Sequence, residues 1–161
     1  MVKNYFDLPV EHKQNVLSKL EASQNLWGAI PFLLELLKKG TFHEYLGNGQ
    51  LLLLLDENEF VGGFPVLKAF VTLCDKDEVI APELFPWIGF VFTFPEYRGK
   101  RVSGLLIDYA IKLAKKLYPE SENVYISTDS VGLYEKYGFL FMEERDTVWG
   151  EKTRVYKRSI K

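Results

Sequence analysis

The chain has 161 residues, of which 47% are hydrophobic, 15% aromatic and 26% charged. That length and balance exclude disorder and low complexity, and they suit one domain over residues 1–161 with a substantial core. A formal charge of −2 gives no overall attraction to nucleic acid, so any cationic site must be local.

Cys74 is the only cysteine, so no intrachain disulfide can form; it reads as a small buried hydrophobe, and its solitude fits a reducing compartment. Met1 to Asp7 lacks the basic-then-apolar pattern of a signal peptide, and apolar runs such as Leu51 to Leu55 are too short to span a bilayer. The expectation is a cytoplasmic protein without a membrane partner.

Asp7-Leu8-Pro9 carries helix-start signals, with Asp7 or a neighbour as cap and Pro9 in the first turn. Val10, Val16, Leu17 and Leu20 then give one apolar face. Asn25 to Lys39 predicts a second helix with Trp27, Ile30, Leu33, Leu34 and Leu37 inward. Lys38 and Lys39 suit its negative end and Gly40 stops it. Thr41 to Leu46 adds a further turn. From Gln50 the period changes, and Leu51 to Leu55 reads as a strand buried on both faces. Asp56-Glu57-Asn58-Glu59 is the expected turn, and Phe60 begins a return strand broken at Gly62-Gly63. Leu67 to Cys74 is the third strand, followed by the charged turn Asp75-Lys76-Asp77-Glu78 and a loop from Val79 to Pro86. Trp87 to Phe94 is the fourth, with Trp87, Gly89, Val91 and Thr93 on one face and Ile88, Phe90, Phe92 and Phe94 on the other.

Pro95 ends that strand because it has no N–H for a ladder. A helix follows from Val102 to about Leu117, its inward stripe Leu105, Leu106, Tyr109, Ala110, Leu113 and Leu117, and Pro119 closes it. Val124 to Thr128 is the fifth strand. Asp129 or Ser130 caps a short helix through Lys136, stopped by Gly138. Phe139 to Glu143 and Thr153 to Lys157 are the last strands, joined around Gly150. The order predicts an α+β (mixed α/β) domain with a mostly antiparallel sheet. The unit from Trp87 to Thr128 is long enough for a right-handed parallel crossover.

The strand-to-helix turn Thr93-Phe94-Pro95-Glu96-Tyr97-Arg98-Gly99-Lys100-Arg101-Val102-Ser103-Gly104 is the chemically richest stretch. Free N–H groups and the positive dipole end at a helix start, joined by Arg98, Lys100 and Arg101, make a site for phosphates. It is neither a P-loop nor a dinucleotide fingerprint, since the glycine spacings of both are missing. A second stretch, Gly132-Leu133-Tyr134-Glu135-Lys136-Tyr137-Gly138-Phe139, follows the fifth strand.

The first stretch resembles the acetyl-CoA-binding motif of the GNAT N-acetyltransferases, usually Arg/Gln-x-x-Gly-x-Gly/Ala after Pro-Glu-Tyr. Arg98 matches the first position, while Arg101 and Ser103 replace the two later small residues. The second stretch is similar to the family's Leu/Phe-Tyr-Glu-Lys-x-Gly-Phe hallmark. The resemblance covers roughly Leu51 to Tyr156. It implies a twisted sheet flanked by helices, splayed between the fourth and fifth strands, with acetyl-CoA as co-substrate in the gap.

On that resemblance, pantetheine pairs with Val91, Phe92 and Thr93, and the pyrophosphate rests on Arg98, Gly99, Lys100, Arg101, Val102, Ser103 and Gly104. Arg101 then either takes an ordinary helical conformation or offsets a left-handed one with a charge-assisted phosphate contact. Tyr134 matches the general acid that protonates the departing CoA thiolate. The family's strand glutamate has no equivalent near Ile88, and Ser127 stands where an asparagine is often found.

The implied activity is acetyl transfer from acetyl-CoA to a primary amine, on a small molecule or a peptide, by direct attack. The alternative is an acetyl-CoA-binding or sensing module of the same fold with little turnover. A nucleic-acid module is disfavoured by charge, and no His/Cys cluster suggests a metal; His12 and His43 read as surface residues. Monomer and homodimer both remain open. By chain order, Asp75, Asp77 and Glu78 are the acids nearest the fourth strand. They are expected to form a rim that attracts a cationic amine, raising KM more than lowering kcat when neutralised, while water and carbonyls relay its proton.

Overall fold

The computed structural model describes residues 1–161. Chain order gives a short edge strand β1 (Val2–Asn4), then helices α1 (Val10–Ala22), α2 (Ala29–Lys39) and α3 (Phe42–Leu46). Strands β2 (Gly49–Val61), β3 (Phe64–Cys74) and β4 (Trp87–Thr93) follow, then helix α4 (Val102–Leu117) and strands β5 (Asn123–Thr128), β6 (Leu140–Asp146) and β7 (Lys152–Ser159). One seven-stranded sheet has the order β1-β2-β3-β4-β5-β7-β6. Only β4 and β5 run parallel, joined by the crossover through α4. The mixed α/β class and the mostly antiparallel sheet agree with the sequence. No helix is long and apolar enough to cross a membrane.

The sheet is covered on both faces, which explains why Leu51 to Leu55 carries no polar alternation. On one face Leu51 and Leu53 pack with Phe70, Phe92, Phe94 and the buried sides of α1 to α3. On the other, Leu52, Val71, Leu73, Ile88 and Ile126 pack with Leu106, Ile107, Ala110 and Ala114 of α4.

Five local expectations are corrected. The turn at Asp7 is a 3-10 turn, Tyr5–Asp7, capped by Asn4, and Pro9 rather than Asp7 precedes α1. The helix expected from Asn25 begins at Ala29, leaving Trp27 in the connection that precedes it. Asp56 to Glu59 is not the hairpin turn but an irregularity within β2. The Asp56 carboxylate accepts the Asn58 and Glu59 N–H groups at 2.8 and 3.2 Å, so the chain bulges and resumes pairing until Gly62-Gly63. The helix expected after Asp129 reduces to one 3-10 turn, Glu135–Tyr137. The stripe of α4 is rotated: Val102, Leu106, Ile107, Ala110, Ile111 and Ala114 are buried, whereas Leu105 is 63% exposed and Tyr109 and Leu117 face outward. Two apolar stripes a residue apart compete on this helix, and the one rich in alanine approaches the sheet closely.

The rotation sets an expectation for stability. Leu106→Ala should cost about 2–5 kcal/mol, and Leu105→Ala within about 0.5 kcal/mol, measured by urea unfolding. Equal costs would return Leu105 to the buried stripe.

Candidate active site

The site begins where β4 and β5 part. Their parallel ladder covers only Trp87↔Tyr125 and Ile88↔Ile126. Beyond Ile88, β4 holds an extra residue against β3, since Phe70 faces Phe92 while Thr72 faces Gly89. The bulge puts Phe90 at φ +47°, outside the range most side chains adopt. It also breaks the expected alternation. Ile88 packs on the α4 face while Phe92 and Phe94 pack on the other, so the four residues Ile88, Phe90, Phe92 and Phe94 do not share a side. Past the bulge, β4 diverges from β5 and leaves a cleft.

A groove of about 710 Å³ runs along this cleft to the start of α4. Val91, Phe92, Thr93, Arg98, Gly99, Arg101, Val102 and Ser103 line it, together with Tyr134. Lys100, on the exposed turn, and Gly104, half-buried within α4, lie outside the lining. A Cβ at Gly104 would stand 3.1 Å from the Tyr137 ring, so that glycine serves the packing of α4 against the Tyr137 turn. Arg98 donates from Nε to the Thr93 carbonyl at 3.0 Å and stacks over Phe92. The Ser103 and Thr93 hydroxyls are paired at 2.6 Å. Arg101 is left-handed, at φ +59° and ψ +24°, where its Cβ crowds the following carbonyl. Of the two alternatives for this residue, the strained one is realised.

A second cavity of about 700 Å³ opens on the other side of Tyr134. Trp27, Val91, Thr128, Ser130 and Tyr134 line both spaces. Its aromatic wall includes Phe32, Tyr45, Phe90 and Trp149, and its charged groups are Asp77, Glu78, Asp129 and Glu151, with no Lys or Arg. Asp77 receives the Ser127 hydroxyl at 3.0 Å, and Glu78 lies 3.4 Å from the same oxygen. Burial, then the neighbouring Glu78, pushes the Asp77 carboxyl up to about 7. Burial, then Tyr137 and Asp77, pushes the Tyr134 phenol up to about 12. The Tyr45 hydroxyl is buried without a hydrogen-bond partner and is pushed up to about 12 by burial and by Asp77 and Glu78.

A model of the acetyltransferase (GNAT) family matches residues 20–139. The chain belongs to the GNAT acetyltransferases. Solved structures agree at the level of fold. A GNAT-family acetyltransferase from Staphylococcus aureus Mu50 is 14% identical with a TM-score of 0.62, covering 100% of this chain and 99% of that one. An acyl-CoA N-acyltransferase from Pseudomonas aeruginosa is 19% identical at 0.62, covering 98% and 97%. An aminoglycoside 6'-N-acetyltransferase complexed with coenzyme A is 12% identical at 0.63, covering 100% and 97%. No curated protein matches the chain in sequence.

Within this GNAT chain, the acids of the β3–β4 turn separate. Asp75 is tied into the fold, accepting from the Tyr118 hydroxyl at 2.8 Å and the Asn48 N–H at 3.0 Å. Only Asp77 and Glu78 reach the second cavity. Sequence reasoning missed Trp27, which stacks on Phe92 at 5.5 Å, and missed Tyr45, Trp149 and Glu151. Those residues lie far apart in the chain and share no motif, so no local pattern could have grouped them.

Relief of the strain at Arg101 can be measured. Arg101→Gly should stabilise the protein by up to about 1 kcal/mol in urea unfolding, because glycine accepts a positive φ. Loss of stability would mean that the arginine's contacts outweigh its backbone.

Proposed function

We propose that the protein transfers an acetyl group from acetyl-CoA to a primary amine, with acetyl-CoA in the groove and the amine in the second cavity. The observation that carries this reading is that Tyr134 lines both spaces, so a thioester brought along the cleft meets an acceptor beside a phenol. Val91, Phe92 and Thr93 line the groove beyond the last β4–β5 pair, where this edge of β4 has no strand partner, which suits an extended pantetheine arm. The N–H groups at the start of α4, with Arg98, Gly99, Lys100, Arg101, Val102, Ser103 and Gly104 around them, suit a pyrophosphate. A similarly folded aminoglycoside 6'-N-acetyltransferase is complexed with coenzyme A, which supports coenzyme A as the class of ligand.

Tyr134 acts as general acid. Its raised pKa keeps the phenol protonated at neutral pH, ready to donate to the departing sulfur. The four carboxylates of the second cavity, unopposed by any cation, favour a positively charged acceptor and disfavour one that carries its own carboxylate. A small amine and a peptide amine both meet that requirement. A homodimer is compatible with this arrangement, as is a monomer.

Acetyl-CoA should raise the melting temperature, more at low salt than at high salt, since ligand bound only by the native state stabilises it and the phosphate contacts are screened. Tyr134→Phe should keep that shift and lose turnover by about 10²–10⁴-fold, followed by thiol release. A thermal shift without turnover on any amine would favour a CoA-binding module, and no shift at all would remove acetyl-CoA from the groove.

A further inference from the structure

Gly89 and Ser127 are the first residues after the last β4–β5 pair, Ile88↔Ile126, so together they mark the apex of the cleft. The Asp77 carboxylate occupies that apex. It accepts the Ser127 hydroxyl from the β5 side, and a Cβ placed on Gly89 would collide with its Oδ1 atom. Position 89 therefore has no side chain, and a carboxylate from the neighbouring loop fills the space where one would project.

That loop is fixed from both sides. The Asp75 and Lys76 N–H groups bond the Asn48 and Leu46 carbonyls at 2.9 and 3.0 Å. The Glu78 carbonyl accepts the Val148 N–H at 2.8 Å, and the Ile80 N–H bonds the Asp146 carbonyl at 3.0 Å. Asp77 is thus a group on an irregular segment, yet it is pinned by α3, by the start of β2 and by the β6–β7 turn. Such preorganisation is what a proton-transfer group requires.

We propose that Asp77 is the base that takes a proton from the acceptor's ammonium, held at the apex of the β4–β5 cleft by Ser127 and given room by Gly89. This rests on the acetyl-transfer reading. Glu78 shares the Ser127 hydroxyl more distantly and lies toward the cavity wall, where it contributes charge. The groups facing Asp77 are Glu78 on its own loop, Tyr45 from α3, Cys74 from β3 and Tyr134. None is a cation, so only the hydrogen bonds from the Glu78 backbone and the Ser127 hydroxyl favour the ionised form, and burial outweighs them. With its pKa near 7, the carboxylate becomes competent as pH rises through neutrality.

The protons balance. An alkylammonium gives one proton to the Asp77 carboxylate, and the freed amine attacks the thioester carbonyl to form a C–N bond. The tetrahedral adduct collapses with cleavage of the C–S bond, and the sulfur takes the Tyr134 proton. The second proton on the new N–H₂⁺ group returns to the Tyr134 oxygen, and Asp77 releases its proton to solvent through the open cavity. The products are an N-acetyl amide, CoA thiol and one proton.

The test is the pH dependence of kcat/KM from pH 6 to 9.5, by thiol release from acetyl-CoA, with tyramine, spermidine, kanamycin and a glycyl peptide as acceptors. Wild type should rise to about pH 7 and then level, because Asp77 accepts the proton of the abundant ammonium form. Asp77→Asn should fall by about 10²-fold or more at pH 7 and climb throughout the range with the free amine, while its KM for acetyl-CoA stays unchanged. Asp77→Glu should retain the plateau at a reduced rate, which keeps the test valid if the asparagine variant folds poorly. Ser127→Ala should move the midpoint upward and keep most of the limiting rate, the mark of a positioning residue. A wild-type rate and plateau in Asp77→Asn would overturn the proposal while leaving acetyl transfer intact. Wild type that binds acetyl-CoA but acetylates none of the four amines would overturn the acetyl-transfer reading, and this proposal with it.

Discussion

The parting of β4 from β5 is the constraint on which the site depends. A parallel ladder of two residue pairs holds the strands, and a one-residue bulge at Phe90 then turns β4 away. A sheet with continuous pairing would have satisfied those backbone groups internally. Here the unpaired edge of β4 becomes the wall of a groove, and the strain of a positive φ at Phe90 is held by packing. Phe90 lies between Trp27 and Phe32, at ring separations of 6.4 and 6.2 Å, so the α1–α2 connection and α2 brace the bulge.

The charge distribution follows from the same divergence. Cations of the turn before α4 sit at one end of the cleft, and carboxylates from the β3–β4 loop and the β6–β7 turn sit at the other. A net charge of −2 conceals this separation. Tyr134 lines both spaces, as does Trp27, which stacks on Phe92 of the groove wall. On the proposed function, a cofactor carrying phosphates and an acceptor carrying an ammonium would be drawn to opposite ends.

Local chemistry was legible in the sequence and long-range juxtaposition was not. The strand ending before Pro95, the basic turn and the helix from Val102 are contiguous, so their order alone placed Arg98 and Arg101 side by side at a helix start, whereas Tyr134 was pointed to by the resemblance of the second stretch. The bulge at Phe90 escaped, because alternation along Trp87 to Phe94 is what a regular strand would show. The rotation of α4 escaped because leucines and alanines populate both of its stripes, and only the approach of the sheet selects between them. Asp77 was recognised as an acid near the fourth strand, but its separation from Asp75 depends on Tyr118 and Asn48, which are distant in the chain. Trp27 escaped as a site residue because its apolar character already placed it in the core.

The central claim is that the β4 edge beyond Ile88 receives the cofactor. Amide hydrogen exchange with and without acetyl-CoA tests it directly. Val91 to Thr93 and Gly99 to Gly104 should gain protection together, since an extended arm pairs with the first segment while phosphates engage the N–H groups of the second. Binding that leaves both segments unprotected, or that protects another part of the sheet instead, would contradict the account.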